Sequence, residues 1–158
     1  MVFEEVQNLC LIRGDAARVV PFLPPGSVSH IFINFPEPPH FSGHEAEARN
    51  ELLTAEFFEQ LHGLLAAEGR MTILSDNWRY IRRLARAVGE LTEGPEGSPR
   101  FASVLAKDVR ETVQGIDLNA GTPGKRAGHR KQTTTSYFDR LWAHGDHTDR
   151  YYFMVQRQ

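Results

Sequence analysis

This chain predicts an α/β domain of the doubly wound kind, with helices flanking a largely parallel sheet, on three observations. Short apolar runs alternate with segments of helical periodicity, the order expected of parallel strands joined by crossover helices. Two of the helical segments, beginning near Thr54 and Arg79, each carry one apolar stripe and so bury one face. Two carboxylates, Glu37 and Asp76, stand just past the ends of apolar runs, where ligands of open α/β sheets bind.

With 158 residues the chain fits a single domain over 1–158, large enough to bury roughly 68–70% of its unfolded surface. No run reaches the ~20 apolar residues that span a bilayer, so no membrane partner is expected. Met1 to Asn8 is acidic and lacks the basic-then-apolar order of a secretory signal, which leads to the expectation of an intracellular protein, in cytoplasm or nucleus. Cys10 is the only cysteine and lies in an apolar run, so a buried core thiol is expected there. Charge is divided along the chain: residues 1–99 hold 8 Lys/Arg and 14 Asp/Glu, residues 100–158 hold 10 and 6. A basic final third suits a polyanionic partner as well as a solvated loop.

Leu9-Cys10-Leu11-Ile12, closed by Gly14 and Asp15, suits a first strand. Ala16 to Phe22 is apolar at helical spacing and stops at Pro24-Pro25-Gly26. Ser27 to Phe35 is a second strand, and Ile31-Phe32-Ile33, without alternation, reads as buried on both faces. Strand, helix, strand predicts a parallel pair with a right-handed crossover. Phe35 and Glu37 each precede a proline, which biases both toward extended backbone and stiffens the loop. His40 to Asn50 is polar with no apolar face.

Thr54 is placed to cap a helix through the backbone of Phe57, and Phe57, Phe58, Leu61, Leu64 and Leu65 form its stripe. Arg70 to Leu74 is a third strand, and Arg79 to Leu91 a helix with Ile81, Leu84, Ala85 and Val88 inward and Arg82, Arg83 and Arg86 outward. Glu93 to Pro99 is a turn, and Phe101 to Ala106 a fourth strand. A flexible basic loop is expected around 115–134, with Lys125, Arg126, Arg130 and Lys131 as candidate phosphate contacts. Tyr151 to Val155 is a closing strand.

Several chemistries lose their signatures. There is no H-E-x-x-H and no cysteine pair, so no metal site is expected. Gly124-Lys125 lacks the spacing of a phosphate-binding loop, and no serine stands in G-x-S-x-G.

Five stretches together carry a resemblance: N-L-x-L-I-R-G-D-A at Asn8 to Ala16, I-F-I-N-F-P-E-P at Ile31 to Pro38, L-L-T-x-E-F-F-x-x-L-H-x-L-L at Leu52 to Leu65, L-S-D-N-W-R-Y at Leu74 to Tyr80, and T-S-Y-F-D-R at Thr135 to Arg140. In this order they resemble the tRNA (guanine-N7)-methyltransferases. That resemblance implies a Rossmann-like S-adenosylmethionine methyltransferase fold, S-adenosylmethionine as cofactor, and methyl transfer to guanine N7 in tRNA. It assigns Glu37 and Asp76 to catalysis, Asp15, Ala16 and Glu37 to the cofactor, and His40, Asp76, Ser136 and Asp139 to the substrate. An alternative register of the last motif takes Thr135 and Phe138 instead. The residues alone leave other roles open: Asp15 and Asp76 as helix caps, and Trp78, Tyr80 and Trp142 as packing.

Departures from the family pattern shape the remaining expectations. Its first strand and Gly-rich turn have no counterpart before Asn8, Glu37 stands for Asp, Pro39 for Trp, and the following loop is acidic through Glu45, Glu47 and Glu51. The fold is therefore expected to be N-terminally truncated, as part of a longer enzyme or as a protein weak or inactive in methyl transfer on its own. The vacated strand edges predict a homo-oligomer, a partner subunit, or the chain's own first strand in the gap. Two other functions compete: a non-catalytic RNA- or partner-binding module, and a methyltransferase for another substrate.

Overall fold

The computed structural model describes residues 8–39, 51–93, 97–104, 109–121 and 149–158. Helix α1 (Ala16–Val19) runs into a 3₁₀ turn at Val20–Phe22, followed by β1 (Val28–Asn34), α2 (Ala55–Leu64), β2 (Leu65–Ser75) and α3 (Trp78–Gly89). Then come a small ladder of β3 (Thr92–Glu93) and β4 (Ser98–Pro99), β5 (Phe101–Ser103), β6 (Val109–Val113), β7 (Ile116–Ala120) and β8 (Tyr151–Arg157).

The expected caps and stripes account for both long helices. Thr54 Oγ1 accepts from Phe57 N at 3.3 Å, and Phe57, Phe58, Leu61 and Leu64 are buried. In α3, Tyr80, Ile81, Leu84, Ala85 and Val88 are buried while Arg82, Arg83 and Arg86 face outward.

The sheet runs β1-β2-β8-β7-β6, with β5 also paired to β8. β1 and β2 are parallel, as expected of two strands joined through a helix, and β8 lies antiparallel to β2. β7 and β5 divide the other side of β8: Asn119 and Ala120 meet Tyr152 and Tyr151, while Phe101 to Ser103 meet Arg157 to Val155. The fold is thus α/β as predicted, but the sheet is mixed rather than largely parallel: among the described strands only β1 and β2 pair in parallel, and β8, β7, β6 and β5 are joined by antiparallel pairings. Because strand side chains alternate, Ile73, Phe153, Val155, Ile116 and Leu118 turn to one face, where they join the stripes of α2 and α3 in one core. The opposite face carries Phe32, Thr72, Met154 and Asn119.

Four expectations are corrected. Leu9–Ile12 is not a strand: Leu9, Leu11 and Ile12 are 63%, 86% and 62% exposed, and Cys10 is exposed rather than buried. No strand among the described residues pairs with that run, so its backbone has no ladder to join. β1 is not buried on both faces, because it is the outermost strand of the described sheet and Phe32 is 41% exposed. Phe35 is not extended but turns through φ 51°, its N–H donating to Leu74 O at 2.7 Å, so a ladder bond outweighs the local preference.

The fourth is β7, which lies inside the 115–134 stretch expected to be a flexible loop and forms a hairpin with β6, a stretch given no element in advance. Val113 pairs with Ile116 across Gln114 and Gly115, both at positive φ (48° and 77°), which is the two-residue turn that matches strand twist. That turn touches the end of α3 so closely that a Cβ added to Gly89 would lie 2.7 Å from the Gln114 Cβ. The remainder of the expected basic loop, 122–134, lies outside the described residues.

Candidate functional site

The parallel pairing of β1 and β2 brings their carboxyl ends side by side, with Asn34 opposite Leu74. Glu37 leaves β1 three residues beyond Asn34, and Asp76 leaves β2 immediately after Ser75. Both are exposed and neither is hydrogen-bonded or ion-paired to another described residue. The two expected catalytic carboxylates therefore emerge from the same end of adjacent strands.

Local chemistry explains why Asp76 is available. Ser75, fully buried, accepts from Asn77 N through Oγ at 3.1 Å, and Asn77 Oδ1 accepts from Tyr80 N at 3.0 Å. Asn77, not Asp76, is the cap of α3, so the capping role open for Asp76 is already filled. Backbone turning is done by the residues on either side, and the carboxylate between them is left over.

Asp15 behaves differently. Its Oδ1 accepts from Ala17 N at 3.0 Å and caps α1, and Arg18 approaches Oδ2 at 4.0 Å. Ala16 is half-buried and packs against the core. His40, Ser136 and Asp139, the other expected substrate contacts, lie outside the described residues, as do Trp142 and Lys125 to Lys131.

Two groupings beside the strand ends are made only by the fold, though Glu51, Trp78 and Tyr80 are named singly above. Glu51 is buried against α3, where Arg83 Nη2 donates to its Oε2 while Oε1 is buried without a partner. Burial pushes the nearby Tyr80 phenol up to about 12, and the Glu51 carboxylate acts in the same direction. The second group is aromatic and cationic. Tyr151 stands opposite Ser75 and meets the Trp78 ring at 4.8 Å, with Arg110 over both rings. The sequence favours packing over base stacking for Trp78 and gives no sign of Arg110, because no local pattern joins residues on α3, β6 and β8. A separate groove lined by Glu68, Gln156 and Arg157 opens where β2 begins, at the other end of that strand from Asp76.

Among the described residues no group of three or more His, Cys, Asp or Glu side chains is placed to hold a metal. None of the helices described is long and apolar enough to cross a membrane.

A family model described as "Putative methyltransferase" matches residues 1–97, more than half of the sequence. The chain belongs to this methyltransferase family. Membership implies a methyl donor and accords with the Rossmann-like reading of the sheet. Curated relatives named tRNA (guanine-N(7)-)-methyltransferase include one from Jannaschia sp. (strain CCS1), 28% identical over 106 residues, covering 67% of this chain and 41% of that protein. Another, from Rubrobacter xylanophilus, is 24% identical over 86 residues, covering 52% of this chain and 36% of the relative. The chain thus spans well under half the length of either relative. A solved structure from Thermus thermophilus whose title names a DNA modification methylase overlays with a TM-score of 0.40 at 16% identity, covering 92% of this chain and 52% of that one, a score too low to bear on the fold.

The residues in hand fit the methyl donor only in part. Glu37 stands free at the strand end, but one Asp15 oxygen is committed to the α1 cap, and no glycine-rich turn follows β1 or β2 among the described residues.

Proposed function

We propose that this chain carries the substrate-facing half of a tRNA (guanine-N7)-methyltransferase site, acting with S-adenosylmethionine and weak or inactive by itself. The observation that carries the reading is the pair of exposed carboxylates, Glu37 and Asp76, on adjacent parallel strand ends, neither of them bonded to another described residue. Guanine N7 has a lone pair and needs no strong base; it needs to be held in line with an electrophilic methyl group, which the cofactor supplies. Carboxylates accept hydrogen bonds from the guanine N1–H and amine, and they offset the positive charge that develops on the ring as N7 is alkylated. In this reading Asp76 and Glu37 orient the base, while His40, Ser136 and Asp139 extend the contact to RNA.

The names of the curated relatives support tRNA as substrate and, with it, a location inside the cell. A second reading, a non-catalytic RNA- or partner-binding module, is favoured by the engagement of Asp15 in capping. Calorimetric titration with S-adenosylhomocysteine separates the two. Weak binding, with slow transfer of a radiolabelled methyl group to tRNA but not to a metabolite panel, is the expected result for the half-site; micromolar binding with full transfer makes the chain an autonomous enzyme, and no binding, with tRNA still retained, establishes the module.

The reading also includes a homo-oligomer or partner subunit alongside β1. That strand, Val-Ser-His-Ile-Phe-Ile-Asn, carries no charge or proline to blunt its edge and presents exposed Phe32. Sedimentation velocity is expected to show self-association that Phe32→Lys weakens, and a monomer at all concentrations removes the homo-oligomer.

A further inference from the structure

Arg110, on β6, places its guanidinium carbon 4.7 Å from the centre of the Trp78 ring and 5.2 Å from that of Tyr151. These rings contact each other at 4.8 Å with a 54° tilt, so the cation rests on one continuous aromatic platform. The platform is firmly set. Tyr151 is 6% exposed, pairs opposite Ser75 and donates its hydroxyl to Asp149 Oδ2 at 3.0 Å, while Trp78 opens α3 directly after its Asn77 cap.

What sets Arg110 apart from an ordinary surface arginine is the lack of a counter-ion among the described residues. Its strand neighbour Glu111 is taken by Arg82, which donates through Nε at 3.0 Å and Nη2 at 2.6 Å. No carboxylate among the described residues lies within ion-pair distance of Arg110. Contact with the ring faces orders the guanidinium, a hydrogen bond to the Tyr151 hydroxyl engages part of its fork, and the N–H donors that remain suit a phosphate oxygen.

We propose that Arg110, held on Trp78 and Tyr151 next to the turn that carries Asp76, binds a phosphate, and that in RNA this is a backbone phosphate close to the base that meets Asp76 and Glu37. Its RNA source rests on the function proposed above; the phosphate chemistry does not. Ordering by the rings means that little side-chain freedom is lost on binding, which favours a fixed register of the strand over the site.

The test is the affinity of the full chain for labelled tRNA and for labelled inorganic polyphosphate across a salt series, with Arg110→Gln, Arg110→Met (which keeps the stem on the rings) and, for comparison, Arg86→Gln on the outer face of α3. Either Arg110 variant is expected to weaken both ligands by about tenfold or more and to lower the tRNA salt slope by about 0.7–0.9, one phosphate contact. Arg86→Gln is expected to match the wild type. Wild-type behaviour of both Arg110 variants overturns the proposal, as do an equal loss in Arg86→Gln, a loss for tRNA alone, and binding of neither ligand by the wild type. Polyphosphate binding that depends on Arg110 without any tRNA binding upholds the phosphate site and removes the RNA function.

Discussion

Replacing Phe153 by alanine lowers the unfolding free energy by about 3–5 kcal/mol, the cost of a fully buried aromatic deleted where the surroundings cannot collapse. Phe153 has no exposed surface and sits on β8, opposite Ile73 of β2 and within the core built by α2 and α3. Neighbouring strands on both sides of β8 hold the backbone in place, so the gap cannot close by a strand shift. Domains of this kind keep only about 5–15 kcal/mol in hand, and such a loss brings the variant close to unfolding at growth temperature. Urea denaturation measures it: the midpoint is expected to fall with the slope unchanged, and a loss below about 1 kcal/mol would show that β8 is not central to the core.

Asp76→Ala is expected to act in the opposite way, sparing the fold and impairing the site. Asn77 and Ser75 supply the local hydrogen bonds, so melting should stay within about 0.5 kcal/mol of the wild type. A carboxylate holding a guanine edge contributes hydrogen bonds of about 1.5–3 kcal/mol, which corresponds to a loss of roughly 10–150-fold in methyl transfer to tRNA, or in tRNA affinity where the chain only binds. Melting curves and methyl-acceptance or binding assays on one preparation decide the matter. A drop in stability of about 1 kcal/mol with unchanged transfer and binding would make Asp76 a structural residue.

The elements legible in the sequence are those whose determinants are local. The Thr54 hydroxyl and the Phe57-Phe58-Leu61-Leu64 stripe specify α2 without reference to the rest of the chain, and the alternation of inward Ile81, Leu84 and Val88 with outward arginines does the same for α3. Tyr151 to Val155 is β-prone at every position and folds as expected, extending to Arg157. Illegible features depend on what a segment finds beside it. Leu9–Ile12 has strand composition but no ladder among the described residues, and Ile31–Ile33 is apolar throughout yet lies at the sheet's margin. Gln114-Gly115 is a weak hairpin signal because Asn or Asp usually stands at its first position. At the site, the strand-end positions of Glu37 and Asp76 could be read in advance. The choice of Asn77 as the cap could not, since both residues are suited to it, and the meeting of Arg110 with Trp78 and Tyr151 is made only by the fold.

The position of β8 has a consequence for how the chain is made. β8 is synthesised after β2, β5 and β7, the three strands it holds together, and it pairs with β2 across some eighty residues of chain, Ser75 to Tyr151. Contacts so distant in sequence form late, because loop closure must be completed before the pairing repays it. Until β8 emerges from the ribosome, the inner edge of β2, with Met71 and Ile73, has no partner, and the nascent domain is at its most prone to misassociate.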